Sequence, residues 1–398
     1  MNAAEVVVTG IGVAGPLGLG AVPSWKALLA GERSRRPVDL FETEGCRCRE
    51  AAQVPLPAPE RRERRLSRAS RLALAAAAEA LSQAALPRGA AGAMPLALST
   101  TGGAMEWGEA FVRRATAGGR TRLFAPVARY QPQQQVLDLR AAFGLGGPAT
   151  VFGNACASGA NAVGHGLDLI RCGQADVVLA GGWEALTELI FMGFDCLQSL
   201  SLTECRPFDA GRDGLQLGEG AAFLVLESAP HARARGAAIL GTVLGYGQAF
   251  DPHHLTAPAP DGAALVAALR MALADAGAAP EEVAYVNAHG TATPMNDGAE
   301  AASYAAAFGA ALPEIALGST KAAVGHALGA AGTVEAVFAL LAARDRVAPP
   351  QLHTRDPLPE VAASLARCGK PLPEGKAVVS ANLGFGGSNA ALVFGGPQ

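Results

Sequence analysis

ATVFGNACASGANAVGHGLDLIRC, residues 149–172, joins a short apolar run, a turn that contains Cys156 and a longer stretch of small and apolar residues. The apolar run predicts a buried strand over 149–153, and the spacing that follows predicts a helix over 157–172. A second stretch, IALGSTKAAVGHALGAAGTVEAVFALLAA over 315–343, has the same order of strand, reactive turn and small-residue helix. Because the order recurs without a literal sequence repeat, we predict an α/β chain whose two halves share a topology.

Strand and helix patterns alternate along the rest of the chain. The sequence predicts further strands at 6–9, 95–99, 176–180, 221–226, 239–247, 283–287, 378–380 and 390–394. It predicts further helices at 61–85, at 262–276 and from residue 297. Glycine turns are expected to end two strands, at Gly10–Gly12 and Gly181–Gly182. Such alternation is typical of largely parallel, doubly covered sheets, and the stretch 228–238 divides the chain into residues 1–235 and 236–398.

Composition narrows the classes of function. The 398 residues are 50% hydrophobic and 17% charged with a net charge of −3, which favours a packed core and disfavours a nucleic-acid partner. The seven cysteines are scattered and odd in number, so we expect no disulfide framework and a reduced, cytoplasmic setting. The alanine-rich run Leu72–Leu81 is interrupted by Glu79 and is too short for a membrane span. Cys46 and Cys48 lack a second ligand pair, so no metal site is expected.

Cys156 is the first candidate for chemistry. It stands between a predicted strand and the start of a predicted helix, where several backbone N–H groups converge. This position is expected to lower the pKa of the thiol and to offer N–H donors to a developing oxyanion. A small buried cysteine that only packs the turn is the alternative, and it carries equal weight at this point.

His289 is the second candidate. It ends a strand within NAHGTAT, residues 287–293, at the end of the sheet where α/β proteins present ligand-facing groups. Thr291 and Thr293 follow it and offer hydroxyls to a polar substrate. A core histidine held by backbone hydrogen bonds is the alternative.

Lys321 and His326 share the turn STKAAVGH, residues 319–326, ahead of the second small-residue helix. The residues around Lys321 are apolar, which argues against the alternative of a solvated lysine. A buried lysine needs a carboxylate partner, for which Glu300 and Asp297 are the candidates.

A glycine-rich turn, GFGGSN over 384–389, separates the last two predicted strands. No GKS or GKT follows, so it is a poor phosphate loop, but its glycines allow Phe385 to move. One cysteine, two histidines and one lysine at strand ends form a more specific set than any member alone. A cysteine protease needs one histidine and an Asn or Asp, and it does not account for the sequence TKAAVGH.

These motifs together resemble the β-ketoacyl-acyl-carrier-protein synthases of the elongating KAS I/KAS II type over nearly the full chain. Cys156 in ACAS matches the nucleophile of that family, and His289 in NAHGTAT matches its first histidine. Lys321 and His326 match its lysine and its second histidine. The resemblance implies a thiolase fold, with five layers αβαβα built from two similar halves, and normally a homodimer.

The resemblance also implies gates and a substrate pocket. Residues 384–389 match the gating loop of the family, and residues 251–258, with Thr256, resemble its second gate. Phe194 and Thr101 are expected to line the substrate pocket, together with Thr291 and Thr293.

The implied reaction is a decarboxylative Claisen condensation. Cys156 accepts an acyl group from an acyl carrier protein, and His289 and His326, as neutral imidazoles, promote the decarboxylation of a malonyl unit. The resulting enolate attacks the acyl-cysteine, whose oxyanion is held by the backbone N–H groups of Cys156 and Phe385.

Supporting roles follow from the same resemblance. Lys321, paired with Glu300 and near Asp297, is expected to orient His326. No metal ion and no organic cofactor are required.

The resemblance places a carrier-protein contact on the basic start of the helix predicted at 61–85. The residues of this contact are Arg61, Arg62, Arg64, Arg65 and Arg68. An acidic partner suits such a patch, and a merely solvated face is the alternative. The partner is acyl- or malonyl-loaded carrier protein, with a homodimer or a ketosynthase heterodimer as the assembly.

The pathway is left open by the sequence. The stretch 193–208 resembles the ketosynthases of aryl-polyene pathways, so a polyene or polyketide role stands beside fatty acid synthesis. Two other functions also remain: a non-elongating partner subunit of a ketosynthase heterodimer, and a biosynthetic thiolase, which His326 and Lys321 disfavour.

Overall fold

The computed structural model describes residues 4–61, 63–87, 89–118 and 124–397. Ten strands, with the short strand Gly18–Leu19 at one side, form a continuous sheet. The strands are β1 (Val6–Gly15), β2 (Leu96–Ser99), β3 (Ala149–Phe152), β4 (Val177–Glu184), β5 (Gly220–Ser228), β6 (Gly241–Phe250), β7 (Val283–Asn287), β8 (Ala316–Gly318), β9 (Ala377–Leu383) and β10 (Ser388–Gly395). Two small ribbons, 36–37 with 50–51 and 347–348 with 370–371, lie outside it.

Twelve α-helices accompany these strands within the described ranges. They are α1 (Ala21–Leu29), α2 (Arg68–Ala84), α3 (Met105–Thr116), α4 (Phe124–Tyr130), α5 (Pro132–Phe143), α6 (Ser158–Arg171), α7 (Glu188–Cys196), α8 (Ala229–Ala234), α9 (Ala263–Ala276), α10 (Pro294–Phe308), α11 (Lys321–Val324) and α12 (Ala331–Asp345). None of the helices in this part of the chain is long and apolar enough to cross a membrane.

The strand order shows that the two halves have one topology. The order β1-β5-β4-β2-β3 in the first half is repeated as β6-β10-β9-β7-β8 in the second. In each half the second strand runs parallel to the third and fourth, and the fifth is antiparallel to the fourth and the first. The halves join where β1 pairs antiparallel with β6, and the repeat begins after Ser228.

The helices complete five layers. Helices α2 and α5 cover the outer face of the first half, and α9 and α10 cover the outer face of the second. Helices α6 and α12 lie between the halves and contact strands of both. Every residue of 331–343 in α12 is buried, as expected for a helix covered on all sides. The architecture is therefore the α/β, five-layered αβαβα thiolase fold of two similar halves.

Glycines that suggest turns in the sequence lie inside strands instead. Strand β1 runs through Gly10 and Gly12, where an added Cβ would come within 2.1 Å of the carbonyl oxygen of Ala80 and 2.0 Å of that of Ala76. These glycines let α2 pack directly on the strand, so the expected turn at Gly10–Gly12 is wrong. Strand β4 likewise continues through the expected turn at Gly181–Gly182.

Two further expectations are corrected. The sheet is mixed rather than largely parallel, because the strands from β4 to β9 through the centre pair antiparallel. The helix predicted at 61–85 begins only at Arg68, where the Ser67 hydroxyl accepts a hydrogen bond from the backbone N–H of Ser70 at 2.9 Å. Such an N-cap fixes the first residue of the helix.

The two edges of the sheet differ. Strand β8 is buried, and its outer edge is hydrogen bonded to residues 364–366. Strand β3 is largely exposed, and none of the described strands pairs with its outer side.

Candidate active site

The site lies where α6 and α12 begin. An added Cβ on Gly159 would lie 2.5 Å from the backbone nitrogen of Thr333, and one on Gly332 would lie 2.4 Å from that of Ala160. The two helices therefore touch backbone to backbone within their first turns. This contact brings the turn before α6 against the turn before α12.

Cys156 and His326 occupy these two turns. The His326 Nε2 lies 3.0 Å from the Cys156 Sγ, and both side chains are buried. Burial raises the pKa of the Cys156 thiol to about 12, although the charge of Lys321 and the backbone N–H of Phe385 act to lower it. The expectation of a lowered thiol pKa is thus wrong, because desolvation of the thiolate outweighs the nearby donors. The thiol needs a base, and His326 is in reach.

His289 shares the same cavity. Its ring centroid lies 5.2 Å from that of His326, with the two ring planes at 87°. Burial and the positive charge of Lys321 lower the pKa of both imidazoles well below the usual value. Both histidines are therefore neutral near pH 7.

Lys321 sets the tautomer of His289. The Lys321 ammonium lies 3.2 Å from the His289 Nδ1, and it forms a buried ion pair with Glu335. An ammonium group can only donate, so Nδ1 accepts and the proton of the neutral ring resides on Nε2. The predicted pairing of Lys321 with Glu300 is wrong. Lys321, which was expected to orient His326, hydrogen bonds to His289 instead.

The true partner lies on the helix that follows Lys321. Glu335 is the single charged residue in the run AGTVEAVFALLAA of α12, residues 331–343. A lone carboxylate in a fully buried helix needs a cation. The isolated position of Glu335 in this apolar run is thus a signal in the sequence for the partner of Lys321.

Glu300 and Asp297 hold the backbone beside His289. The Glu300 carboxylate accepts the N–H groups of His289 and Gly290 at 2.6 and 2.7 Å. Asp297 accepts the N–H groups of Phe208 and Ala292 at 2.7 and 3.1 Å. Burial raises the pKa of Glu300 to about 7 and that of Asp297 to about 6. These carboxylates support the histidine through its backbone.

Cysteine and histidine side chains, such as the three in this cavity, can also bind metal ions. One ligand atom each from Cys156, His289 and His326 lie within 4.8 Å of one another. A histidine that binds a metal normally donates its second N–H to a carboxylate or carbonyl. Here the Nδ1 of His289 faces the ammonium of Lys321 instead. The donor set therefore fits acid–base chemistry better than metal binding.

Two loops close the cavity. The ring of Phe385 stacks on that of Phe194, with centroids 5.9 Å apart. The backbone N–H of Gly386 donates to the carbonyl of Leu255 at 2.7 Å, which ties residues 384–387 to residues 251–259. The predicted substrate residues that line the cavity are Phe194, Thr256, Thr291 and Thr293.

Thr101 is not among the residues that line the cavity. Its side chain is exposed in the single chain, and its backbone N–H donates to the buried carboxylate of Glu184 at 2.8 Å. Thr101 therefore does not line the cavity of the single chain, and its place in the substrate pocket stays a prediction. The end of β2 is drawn toward Glu184 at the end of the neighbouring strand.

The basic patch has a different membership from the predicted one: Arg68 is not part of it, and Arg129 is. Arg68 points inward, where it pairs with Glu219 and donates to the carbonyl of Val54 at 2.8 Å, so it is no part of an exposed patch. The exposed members are Arg61, Arg64 and Arg65, and Arg62 lies outside the described residues. Arg129, which the sequence did not single out, lines the same recess.

Comparison with known proteins identifies the family to which a chain with this site belongs. The profile of the beta-ketoacyl synthase N-terminal domain matches residues 3–232, and that of the C-terminal domain matches residues 240–355. The 3-oxoacyl-[acyl-carrier-protein] synthase 2 of Staphylococcus aureus (strain COL) is 34% identical over 98% of both chains.

Two of the similar solved structures cover the whole chain. "The ishigamide ketosynthase/chain length factor" has a TM-score of 0.92 at 31% identity, with 100% of each chain covered. A type II polyketide ketosynthase in complex with its acyl-carrier protein, AntDE:AntF, has a TM-score of 0.91 at 27% identity and the same coverage. The chain belongs to the β-ketoacyl synthase family.

Proposed function

We propose that this chain catalyses the decarboxylative Claisen condensation of malonyl–acyl carrier protein with an acyl group held on Cys156. The observation that carries the proposal is the buried contact of 3.0 Å between the Cys156 thiol and His326, with neutral His289 beside it. The relatives include a 3-oxoacyl-[acyl-carrier-protein] synthase 2, a ketosynthase/chain length factor and a type II PKS ketosynthase, so they support the condensation reaction and leave the pathway open.

The first stage transfers the acyl group. His326 Nε2 accepts the thiol proton of Cys156 as the sulfur attacks the thioester carbonyl. The backbone N–H groups of Cys156 and Phe385 bind the oxyanion. The bond to the carrier's sulfur then breaks, and that thiolate takes the proton from His326.

The second stage releases CO₂. The thioester carbonyl of the malonyl group lies against His289, whose Nε2–H donates to its oxygen, and against His326. The bond to the carboxylate breaks, and its electron pair passes into the thioester as an enolate. Because Lys321 holds the Nδ1 of His289 as an acceptor, that ring is ready to donate before the substrate binds.

The third stage forms the carbon–carbon bond. The enolate carbon attacks the acyl carbonyl on Cys156, and the same two N–H groups hold the new oxyanion. The bond to the Cys156 sulfur then breaks, and the thiolate takes a proton that solvent water supplies. The product is a β-ketoacyl group on the carrier protein.

Carrier protein binds, in this proposal, to Arg61, Arg64, Arg65 and Arg129. Arg129 donates to the carbonyl of Arg65 at 3.2 Å, so the cations of two segments form a single recess. Changing Arg61, Arg64 and Arg65 together to Glu is expected to raise the KM for loaded carrier protein about tenfold or more. The rate with an acyl-pantetheine, which has no acidic protein surface, is the control and is expected to stay unchanged.

The same proposal covers organisation and assembly. Residues 1–235 would carry the nucleophile, and residues 236–398 would carry both histidines and Lys321. A homodimer or a heterodimer with a second ketosynthase chain suits the exposed edge of β3. All seven cysteines are free, which accords with a cytoplasmic location.

The alternatives have less support. A partner subunit without elongating activity has no need of the contact between Cys156 and His326. A thiolase uses a second cysteine. Cys205 is buried, but its thiol donates to the carbonyl of Thr291 at 3.8 Å and it does not line the cavity that contains Cys156.

Mass spectrometry tests the proposal directly. Incubation with acyl carrier protein should add the acyl mass to Cys156, and malonyl carrier protein should then release CO₂. Acylation that persists in Cys156→Ala, or an unreacted wild type, would overturn it. Turnover of acetyl-CoA alone would favour the thiolase.

A further inference from the structure

One further buried carboxylate, that of Glu184, has no role in the reaction above. Glu184 ends β4, and its side chain is buried. Its carboxylate accepts backbone N–H groups from Thr101 at 2.8 Å, Gly102 at 2.7 Å and Gly329 at 3.0 Å. The Thr100 hydroxyl lies at 3.4 Å. The side chain thus joins the end of β2 to a turn of the other half.

The turn it holds is the one that follows His326. Gly329 belongs to the short 3-10 turn Leu328–Ala330, between His326 and α12. Glu184 binds the N–H of Gly329, and the Ser99 hydroxyl donates to its carbonyl at 3.0 Å. An added Cβ on Gly329 would lie 2.5 Å from the backbone nitrogen of Thr101. The turn is therefore fixed from both sides with no room to shift.

This turn also contacts the nucleophile's own turn. Residues 328–330 pack against residues 155–157, which include Cys156. Leu328 has a φ of +45°, a left-handed conformation that costs energy for a residue with a side chain. Such a conformation persists where the surroundings enforce it, and here the enforcing groups are Glu184 and Ser99.

We propose that Glu184 is a positioning residue for His326, acting through the peptide of Gly329. This inference rests on the proposed function, because His326 must face both the Cys156 sulfur and the malonyl carbonyl. Glu184 touches neither substrate nor reacting atom. It holds the His326 turn at the distance from Cys156 that the chemistry needs.

The charge state of Glu184 bears on this role. Three N–H donors on two segments need an ionised carboxylate with two accepting oxygens. Burial raises the pKa of Glu184 to about 7. The groups that hydrogen bond to it, on residues 100–102 and 329, carry no charge. The charge of Glu184 in turn acts to raise the pKa of the Cys156 thiol. Protonation as the pH falls below 7 weakens the hold on the turn.

Glu184→Gln tests the proposal, because glutamine keeps the shape but offers one accepting oxygen. We expect the kcat for CO₂ release from malonyl carrier protein to fall about tenfold or more, with the KM within about twofold. The wild type should lose decarboxylation as the pH falls through about 7, and the variant should lack that step. An unchanged kcat, or a step that persists in the variant, overturns the proposal.

Ser99→Ala keeps the test decisive if Glu184→Gln does not fold. It removes the hydroxyl on the Gly329 carbonyl, and a loss of about threefold to tenfold in kcat is expected. Ser303→Ala is the matched control, since the Ser303 hydroxyl also donates to a buried carbonyl, that of Gly262 at 3.1 Å, but in the outer layer. It should keep full kcat, and an equal loss in both variants would indicate a general stability effect. A wild type that releases no CO₂ would instead refute the proposed function.

Discussion

The two halves of the molecule repeat one strand order but place different groups at corresponding points. After the third strand, the first half presents Cys156 and the second presents Lys321 and His326. After the second strand, the first half presents exposed Thr101, whereas the second presents buried His289. One half thus supplies the nucleophile and the other the acid–base groups. The backbone is repeated and the chemistry is not.

The corresponding strand ends are nevertheless held in the same way, each by a buried carboxylate. Glu184 accepts two successive N–H groups after β2, and Glu300 accepts two successive N–H groups after β7. The first carboxylate comes from the end of β4 and the second from α10. Both halves therefore need a fixed strand end, whether or not that end carries a catalytic side chain.

Removal of the nucleophile is expected to have the largest effect, because it should abolish the activity of the first half and leave that of the second. Cys156→Ala is expected to lower condensation by about 10³-fold or more, because no acyl-enzyme forms. Decarboxylation of malonyl carrier protein should continue, since His289 and His326 remain. Acyl mass on the protein and CO₂ release report the two activities. Loss of both together would show that the division of labour between halves is wrong.

The two histidines should differ in which stage they affect. His326→Ala is expected to slow both acylation and decarboxylation, by about 10²- to 10⁴-fold, because its Nε2 faces the Cys156 thiol. His289→Ala should slow decarboxylation to a similar degree and leave acylation within a few-fold. Single-turnover acylation measured by mass spectrometry separates the two. Equal acylation rates in both variants would contradict the assignment.

The buried ion pair should matter for stability as well as for chemistry. Lys321→Met leaves Glu335 unpaired and should lower the free energy of unfolding by about 3–5 kcal/mol. The double variant Lys321→Met/Glu335→Leu removes both charges and should recover most of that stability. Decarboxylation should stay low in the double variant, because His289 no longer has a donor at Nδ1. Denaturant unfolding and CO₂ release measure the two effects, and recovered decarboxylation would refute the role of Lys321.

The smallest effect is expected at the helix crossing. Gly159→Ala and Gly332→Ala each insert a methyl group between α6 and α12, and each should lower stability by about 1–3 kcal/mol. Gly193→Ala is the control, because an added Cβ there meets nothing within 4 Å and helix propensity should raise stability slightly. Thermal unfolding of the three variants tests this. A harmless Gly159→Ala would show that the helices can separate without cost.

The residues themselves predicted an α/β chain of two similar halves and the four reactive side chains, because strand and helix periodicity and the motif turns are local signals. The five layers followed only from the resemblance to the ketosynthase family. It did not predict what lies across the molecule. Gly10 and Gly12 suggest a turn until α2 is seen against them, and Arg68 suggests an exposed cation until Glu219 is seen beneath it. Lys321 pairs with Glu335 because α12 packs against the turn that precedes it. Such contacts depend on three-dimensional packing rather than on spacing.

The unequal edges of the sheet limit how copies of the chain can associate. One rim, at β8, is already hydrogen bonded to residues 364–366, whereas none of the described strands pairs with the outer side of the other rim, at β3. Strand addition between two copies at β3 would occupy that rim in both of them, so association of this kind ends at two chains.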